Sequence, residues 1–407
     1  MNNRTRFALA LLLSSAWLGV AGPRGVAAQP APLGPEVRVD TLAGDQFPND
    51  PMLSVQRDGT FEVAWDYGGS QPASIFARHF TAAVRPTDAA QVLLGSEGFW
   101  PQLDAITKAG KGYDVLWHIH DDTGTMPPAF YTRHLDARGA LLGNKPLKVG
   151  KPYFPYVWFV AGDGLVAGSF QEPIRTFNLR KLSPNGVPTL VERRIDTRPI
   201  DDPRPSVTPL ANGNFVAVFE ATSLPVESAR RVLRARLFSG TFEPQTPDFD
   251  VNTTPAGLSG TAPFLGPDFT VAAAPNGGFA VAWTLDHTLY LRFFNAAGDP
   301  LGPEVPAVTS DGAFAPLSAA IDKKGNLLLL WFRIPAPLQT DLQIQLFDSH
   351  GAPLGPAEGV NSAASDRYQQ PFAGSVAWTG SAWLVTWAAQ VGDLEPSAIF
   401  VRRFAGN

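Results

Sequence analysis

The hexapeptide PLGPEV occupies Pro32–Val37 and recurs at Pro300–Val305, and a close variant, PLGPAE, occupies Pro353–Glu358. Each of the two later copies follows a segment that ends in phenylalanine. The chain stops at Phe404–Asn407, directly after another such segment, so its last repeat lacks the hexapeptide. We therefore expect the copy near the amino terminus to complete the last repeat, which would close the repeats into a ring.

Seven short apolar segments, each ending in an aromatic residue, indicate that the repeat is a β-sheet unit. The aromatics recur at intervals of about 54 residues, a period that suits four short strands, and they are Trp65, Trp117, Phe170, Phe219, Trp283, Trp331 and Trp387. In five segments a glycine lies six residues before the aromatic, where a tight hairpin needs a positive φ. These glycines are Gly59, Gly164, Gly213, Gly277 and Gly325.

A three-residue row follows each aromatic on the next expected strand. The rows are Arg78-His79-Phe80, Arg133-His134-Leu135, Arg180-Lys181-Leu182, Arg236-Leu237-Phe238, Arg292-Phe293-Phe294, Gln345-Leu346-Phe347 and Arg402-Arg403-Phe404. Strand alternation places the first and third members of a row on one face of the sheet. A residue present in nearly every repeat builds the repeat, so we expect the arginines to satisfy backbone carbonyls or neighbouring acids.

The pattern G-x-F-x-V-x-W, then R-x-F, then G-x-P-L-G-x-E, resembles the propeller repeat of many exported bacterial proteins. The resemblance covers almost the whole chain after its first residues. It implies an all-β, seven-bladed β-propeller of four-stranded antiparallel blades, with the amino-terminal strand completing the last blade. No common activity follows from it, because propellers with such repeats share a fold and not a reaction.

Composition indicates an exported protein. Residues 1–28 combine early arginines, an apolar run and the small residues Val26-Ala27-Ala28, which is typical of a secretory signal peptide. We therefore expect a single propeller domain at 29–407 in the periplasm or secreted from the cell. Removal of the signal peptide would take three arginines from a net charge of −5 and leave −8. This negative charge argues against nucleic acid as a partner. The chain has no cysteine, which excludes disulfides and thiolate metal sites.

The loops that precede the innermost strands contain the candidate ligand-binding residues. Each loop has an aromatic or charged residue shortly before a proline, and these aromatics either wedge between blades or form a binding mouth. Aromatic faces with carboxylates and arginines between them stack on sugars and hydrogen-bond to their hydroxyls. The candidates are Trp100, Tyr153, Asp201, Asp202, Arg204, Asp268, Asp311 and Arg367.

A metal site is a minor alternative. An H-x-H pair on a strand places both imidazoles on one face, and His118, His120 and Asp121 fit this pattern. A site would need a further ligand at coordination distance, and hydrogen-bonded histidines are the simpler interpretation. No cofactor is expected, because the chain has no P-loop, G-x-G-x-x-G or H-E-x-x-H motif.

Three functions remain open at this point. The first is non-enzymatic recognition of a glycan or an extracellular protein through the loop-bearing channel face. The second is a carbohydrate-active enzyme, a glycoside hydrolase or lyase, that uses paired carboxylates such as Asp201 and Asp202 on that face. The third is a purely structural assembly module. In each case we expect a monomer without membrane insertion.

Overall fold

The structure is a computed structural model of the chain, and it describes eighteen segments. They are residues 30–41, 46–69, 74–87, 92–95, 101–119, 129–149, 156–160, 164–171, 176–182, 188–196, 200–222, 231–253, 269–285, 287–309, 313–336, 339–361, 373–390 and 397–406. All regular elements in these segments are β-strands. Within them, no helix is long and apolar enough to cross a membrane.

The strands form seven four-stranded antiparallel sheets, as expected for seven blades. Blade 1 contains β2 (Gln46–Val55), β3 (Phe61–Gly69), β4 (Ser74–Phe80) and β5 (Val92–Gly95); blade 2 contains β6 (Pro101–Ala109), β7 (Gly112–Ile119), β8 (Ala129–Leu135) and β9 (Leu141–Val149). Blade 3 contains β10 (Tyr156–Val160), β11 (Gly164–Gln171), β12 (Thr176–Leu182) and β13 (Pro188–Arg194); blade 4 contains β14 (Ile200–Pro209), β15 (Phe215–Thr222), β16 (Arg231–Phe238) and β17 (Phe249–Asp250).

Blades 5 to 7 follow the same order. Blade 5 contains β18 (Phe269–Ala273), β19 (Phe279–Leu285), β20 (Thr288–Phe294) and β21 (Val305–Thr309); blade 6 contains β22 (Ala313–Ile321), β23 (Leu327–Ala336), β24 (Gln339–Phe347) and β25 (Glu358–Gly359). Blade 7 contains β26 (Gly374–Trp378), β27 (Ala382–Gln390) and β28 (Ser397–Ala405), and β1 (Val37–Arg38) is its fourth strand. The first strand of each blade contacts the first strand of the next, and β26 contacts β2, so these strands surround one axis.

The amino-terminal segment completes blade 7, which confirms the expected ring closure. β1 pairs antiparallel with β28, with Val37 opposite Val401. Pro32 bridges Phe404 in the same way that Pro300 bridges Phe294 inside blade 5. The first hexapeptide therefore occupies, in blade 7, the position that the later copies occupy in their own blades.

The repeated aromatics lie on the second strand of each blade, and most of the repeated glycines lie in the hairpin turn that precedes this strand. All seven aromatics lie on second strands, and all seven R-x-F rows lie on third strands. Four of the five glycines have φ between 84° and 88° in the turn before the second strand: Gly59, Gly213, Gly277 and Gly325. Gly164 differs, because it pairs with Val160 in the ladder and is the first residue of β11.

The hydrophobic core is divided among the blade junctions. Seven clusters of buried side chains each join two neighbouring blades. The cluster between blades 7 and 1 includes Val39 together with buried side chains of both blades. The amino-terminal segment therefore contributes apolar packing as well as hydrogen bonds to the closure.

In five of the seven blades, the arginine of the R-x-F row joins its blade to the one before it. Nη1 of the arginine donates to a carbonyl at the outer edge of the preceding blade, at 2.7–3.1 Å. The pairs are Arg78–Val39, Arg133–Leu94, Arg236–Arg194, Arg292–Val251 and Arg402–Val360. The expectation that these side chains satisfy backbone carbonyls is confirmed, and the carbonyls belong mainly to the adjacent blade.

The same arginines also hold the turn before their own outer strand. Nε of Arg292 donates to the carbonyl of Gly302, and Nε of Arg402 donates to that of Gly34, which is the same position in two hexapeptides. In blade 6, Gln345 donates to Gly355 and therefore keeps this second contact. In blade 3, Arg180 pairs with Glu192 of its own blade.

We expect Arg292→Ala to destabilise the fold by about 2 kcal/mol, because two carbonyls lose a charged donor at a largely buried site. Arg292→Lys should recover part of this loss, since an ammonium reaches one carbonyl. The measurement is denaturant unfolding, with Arg57→Ala as the exposed control. If both alanine variants matched the wild type, the arginines would not stabilise the blade junctions.

Candidate functional site

The two ends of the ring differ in what they carry. At one end the first strand of each blade begins and the second strand ends; we call this the loop-bearing face. At the opposite end lie the hairpins that join first to second strands, such as 56–60 in blade 1 and 110–111 in blade 2. We call this the turn face.

The structure describes only three of the eight predicted ligand-binding residues, and only their backbone. Trp100, Tyr153, Asp268, Asp311 and Arg367 lie outside the described residues. Asp201, Asp202 and Arg204 lie in the described backbone of β14 at its loop-bearing end, but their side chains are not described. Their role in binding stays a prediction.

A β-bulge in each of two adjacent inner strands places an aspartate at the loop-bearing face. In blade 1, Asn49 lies opposite Asp66 and Met52 opposite Ala64, so Asp50 and Pro51 together face one residue. In blade 2, Asp104 is the extra residue between Leu103 and Ala105. Asp50 has φ of 43°, a conformation that Asp tolerates better than most residues but that still stores strain.

These two bulge aspartates lie close to a third carboxyl, that of Asp66 at the end of β3. The Asp66 side chain is almost fully buried, and its Oδ2 accepts a hydrogen bond from the Leu103 backbone N–H at 3.1 Å. Leu103 belongs to blade 2, so this bond crosses the junction between the two blades. We call Asp50, Asp66, Asp104 and His118 the acid cluster.

The pKa values of all three carboxyls in the acid cluster are raised above the ordinary value for aspartate. Burial, and next the charge of Asp50, raise the pKa of Asp66 to about 8, against the effect of the Leu103 hydrogen bond. Burial and the charge of Asp104 raise the pKa of Asp50. Burial raises the pKa of Asp104, and its hydrogen bond with His118 acts in the opposite direction. At neutral pH the cluster therefore holds at least one proton.

His118, the first residue of the predicted metal motif, is bound to a carboxylate of the protein. Its side chain is 10% exposed, and Nδ1 lies 2.8 Å from both Asp104 oxygens. His120 and Asp121 lie outside the described residues. In the segments that the structure describes, no group of three or more His, Asp or Glu has the arrangement to hold a metal ion. The described geometry supports the hydrogen-bonded interpretation for His118, while a site that includes the other two residues stays a prediction.

Sequence reasoning missed Asp50, Asp66 and Asp104, although one signal pointed to two members of the cluster. The residue after the repeated aromatic is Asp66 in blade 1 and His118 in blade 2, and it is Glu220 and Thr284 in blades 4 and 5. All four side chains are buried at this position. Blades 6 and 7 have Phe332 and Ala388 there instead. A titratable residue at a buried position that is apolar in other repeats does not serve the repeated architecture. It was therefore a signal for a site in this chain.

The acid cluster combines a hydrogen-bond donor with several acceptors. A protonated carboxyl donates one hydrogen bond and accepts others, whereas a carboxylate only accepts. Asp104 is also oriented by His118, as in pairs that exchange protons with a substrate. The arrangement suits a neutral ligand with many hydroxyls, or a reaction that needs an acid beside a base.

Comparison with known proteins shows the fold alone. The chain matches no family model and no curated protein sequence. It is similar to a protein of unknown function from Dyadobacter fermentans, with 10% identity, a TM-score of 0.53, and coverage of 92% of this chain and 98% of that chain. It is also similar to the β-propeller domain of the Trilobed protease from Pyrococcus furiosus, described as having an open velcro topology, with 9% identity, a TM-score of 0.50, and coverage of 89% and 94%.

A weaker match is a quinonprotein alcohol dehydrogenase-like protein from Bacteroides thetaiotaomicron. Its identity is 12% and its TM-score 0.45, over 79% of this chain and 67% of that chain. The similar structures thus include a protease propeller domain and a dehydrogenase-like protein. At these identities the similarity carries no activity over to this chain.

We expect stability to fall as the pH rises from 6 to 8, because Asp66 stays protonated in the folded state and is ionised in the unfolded chain. Each pH unit in this range costs up to about 1.4 kcal/mol per retained proton, so the contribution of Asp66 is roughly 2 kcal/mol. Asp66→Asn keeps an acceptor for the Leu103 N–H and should flatten the dependence.

Denaturant unfolding at several pH values is the measurement. Asp341→Asn removes a carboxyl that is 40% exposed and should keep the wild-type slope. Equal slopes for wild type and Asp66→Asn would show that Asp66 is ionised in the folded protein.

Proposed function

We propose that this protein is an exported, non-enzymatic binding propeller that recognises a glycan through its loop-bearing face at blades 1 and 2. The observation that carries the proposal is the acid cluster, in which Asp66 and Asp104 from adjacent blades meet at one edge of the channel. Residues that build the propeller recur from blade to blade, but these aspartates do not. The cluster therefore represents a property of this chain beyond its fold.

A glycan is the ligand class that best matches the chemistry of this face. Sugar hydroxyls both donate and accept, and the acid cluster supplies carboxylate acceptors together with a protonated donor. Trp100 immediately precedes β6, which carries Asp104, and an indole is a suitable surface for a sugar ring. Tyr153 precedes β10 in the sequence, and Asp201, Asp202 and Arg204 belong to β14, which begins at the same face. An extracellular protein is the alternative partner.

The pattern of residues 1–28 supports an extracytoplasmic location, either periplasmic or secreted. A ligand outside the cytoplasm is consistent with a surface or secreted glycan. Closure of the ring without cysteines is compatible with any redox environment.

We expect purified protein to bind a subset of neutral oligosaccharides on a glycan array. Trp100→Ala should weaken that binding at least tenfold, since one lost stacking contact is worth about 1–2 kcal/mol. Asp104→Asn should weaken it as well, because it removes a carboxylate acceptor at the cluster.

The matched control is Asp341→Asn, an acid at the start of β24 on the same face in blade 6. It should leave binding unchanged. Binding only to an extracellular protein, or glycan binding that Trp100→Ala and Asp104→Asn both leave intact, would rule out a glycan site at the acid cluster.

One observation favours a second candidate, a glycoside hydrolase or lyase. Asp66, with its pKa raised to about 8, is suited to act as a general acid, and Asp104 beside His118 is suited to act as a base. Glycoside cleavage uses a pair of carboxyls, one as the acid and the other as the base or nucleophile.

If the protein is such an enzyme, it should release reducing or unsaturated sugars from a polysaccharide panel. Asp66→Asn should then reduce kcat by about a hundredfold or more, since general acid catalysis contributes that much, while Asp341→Asn should retain activity. Loss of activity in Asp201→Asn or Asp202→Asn, but not in Asp66→Asn, would move the catalytic pair to blade 4. No released product from any substrate would leave the binding function as the better account.

A further inference from the structure

A separate group of charged residues lies on the turn face, at the same junction between blades 1 and 2. Two adjoining cavities there have volumes of about 720 and 640 Å³ and share Gly110, Lys111 and Ala137. We call them together the turn-face groove. It lies at the other end of the blades from the acid cluster, so it is distinct from the proposed glycan site.

Four cations line the groove, although the chain as a whole has a net charge of −5. Arg57 and Lys108 line one cavity, Arg138 lines the other, and Lys111 lines both. All four residues are exposed. Their side chains form no hydrogen bond or ion pair with any of the described residues. Their charge is therefore available to a ligand.

The acids of the groove are already engaged within the protein. Asp58 accepts from the Thr60 hydroxyl at 2.7 Å, Asp114 from His134 at 2.6 Å, and Asp136 from the backbone of its own turn. These contacts use one oxygen of each carboxylate, Oδ1. Hydrogen bonding to Thr60 lowers the pKa of Asp58, so this group stays an acceptor. Four cations against three carboxylates leave the groove with a net charge of +1, and each carboxylate retains an oxygen for a donor.

The walls of the groove are held in place by contacts between the two blades. Gln56 of the blade 1 hairpin donates from Nε2 to the carbonyl of Gly112 in blade 2, at 2.6 Å. Gly139, with φ of 78°, packs so closely on blade 1 that an added Cβ would lie 2.7 Å from Cβ of His79. Beneath it, His79 and the fully buried Glu62 form a pair at 3.0 Å. A preorganised groove of this kind costs a ligand little ordering entropy.

We propose that the turn-face groove binds an anionic oligosaccharide whose sugar residues carry carboxylate groups. The cations pair with the sugar carboxylates, and the spare oxygens of Asp58 and Asp136 accept from the sugar hydroxyls. Leu142, which is 48% exposed, offers an apolar surface to a ring. A polyphosphate fits less well, because it offers the aspartates no donor, and an acidic peptide offers them only its amide N–H groups. The two adjoining cavities suit a short chain better than a single compact anion.

The test measures binding of trigalacturonate by isothermal titration calorimetry, with uncharged galactotriose as the matched ligand. The wild type should bind trigalacturonate in preference to galactotriose, and rising salt should weaken the binding. Lys108→Gln with Lys111→Gln should weaken it about fivefold to tenfold, since each exposed charge contributes up to roughly 1 kcal/mol. Lys108→Arg with Lys111→Arg should retain it, which separates lost charge from altered folding.

The control is Lys323→Gln with Lys324→Gln, which changes two lysines in the corresponding hairpin of blade 6. It alters the net charge equally and should leave the affinity unchanged. The proposal is overturned if trigalacturonate does not bind at millimolar concentration, or if galactotriose binds as well. It is also overturned if hexaglutamate or tripolyphosphate binds more tightly, or if both glutamine pairs weaken binding equally.

Discussion

Hydrogen bonds between the two ends of the chain close the ring, and the rest of the structure depends on them. The Leu33 N–H donates to the carbonyl of Arg403 at 2.8 Å, and the Val39 N–H donates to that of Ile399 at 2.7 Å. These residues are more than three hundred and fifty positions apart in sequence. Without them, blade 7 would expose the edge of β28, and the core between blades 7 and 1 would lose Val39. Because each core cluster lies between two blades, an open ring would leave one such face exposed.

Closure also explains why the functional candidates lie at blade junctions. At five junctions the arginine of one blade donates to a carbonyl of the preceding blade, so neighbouring blades satisfy each other's backbone groups. Asp66 extends the same principle at the loop-bearing face, since it accepts from Leu103 in blade 2. The bulge aspartates then bring further carboxyls to a position that is already buried. The conformation of Asp50 is strained, and burial beside it raises the pKa of Asp66.

The architecture was predictable from the repeats, while the candidate site was only partly predictable. The fold was predicted from repeated features of the sequence, which can be read directly from its periodicity. These features are the aromatics about every 54 residues, the R-x-F rows and the displaced hexapeptide. The location of the candidate site on the loop-bearing face was also predictable, since strand order assigns each loop to one end of the ring. The identity of the clustered acids was not, because Asp50 and Asp104 project where they do through bulges. An extra residue in one strand changes the sheet face on which the side chains lie. No periodicity in the sequence predicts where such a residue occurs.

The sequence by itself determined the number of blades, the order of their strands and the segment that closes the ring, because these follow from repeated patterns along the chain. Tertiary structure alone decided which side chains meet across a junction. Asp66 and Leu103 are 37 residues apart, and Lys111 reaches the same groove as Arg57 only once blades 1 and 2 are packed together. The twist between adjacent sheets, and the bulges within them, set these distances. Neither is encoded in the spacing of any single motif.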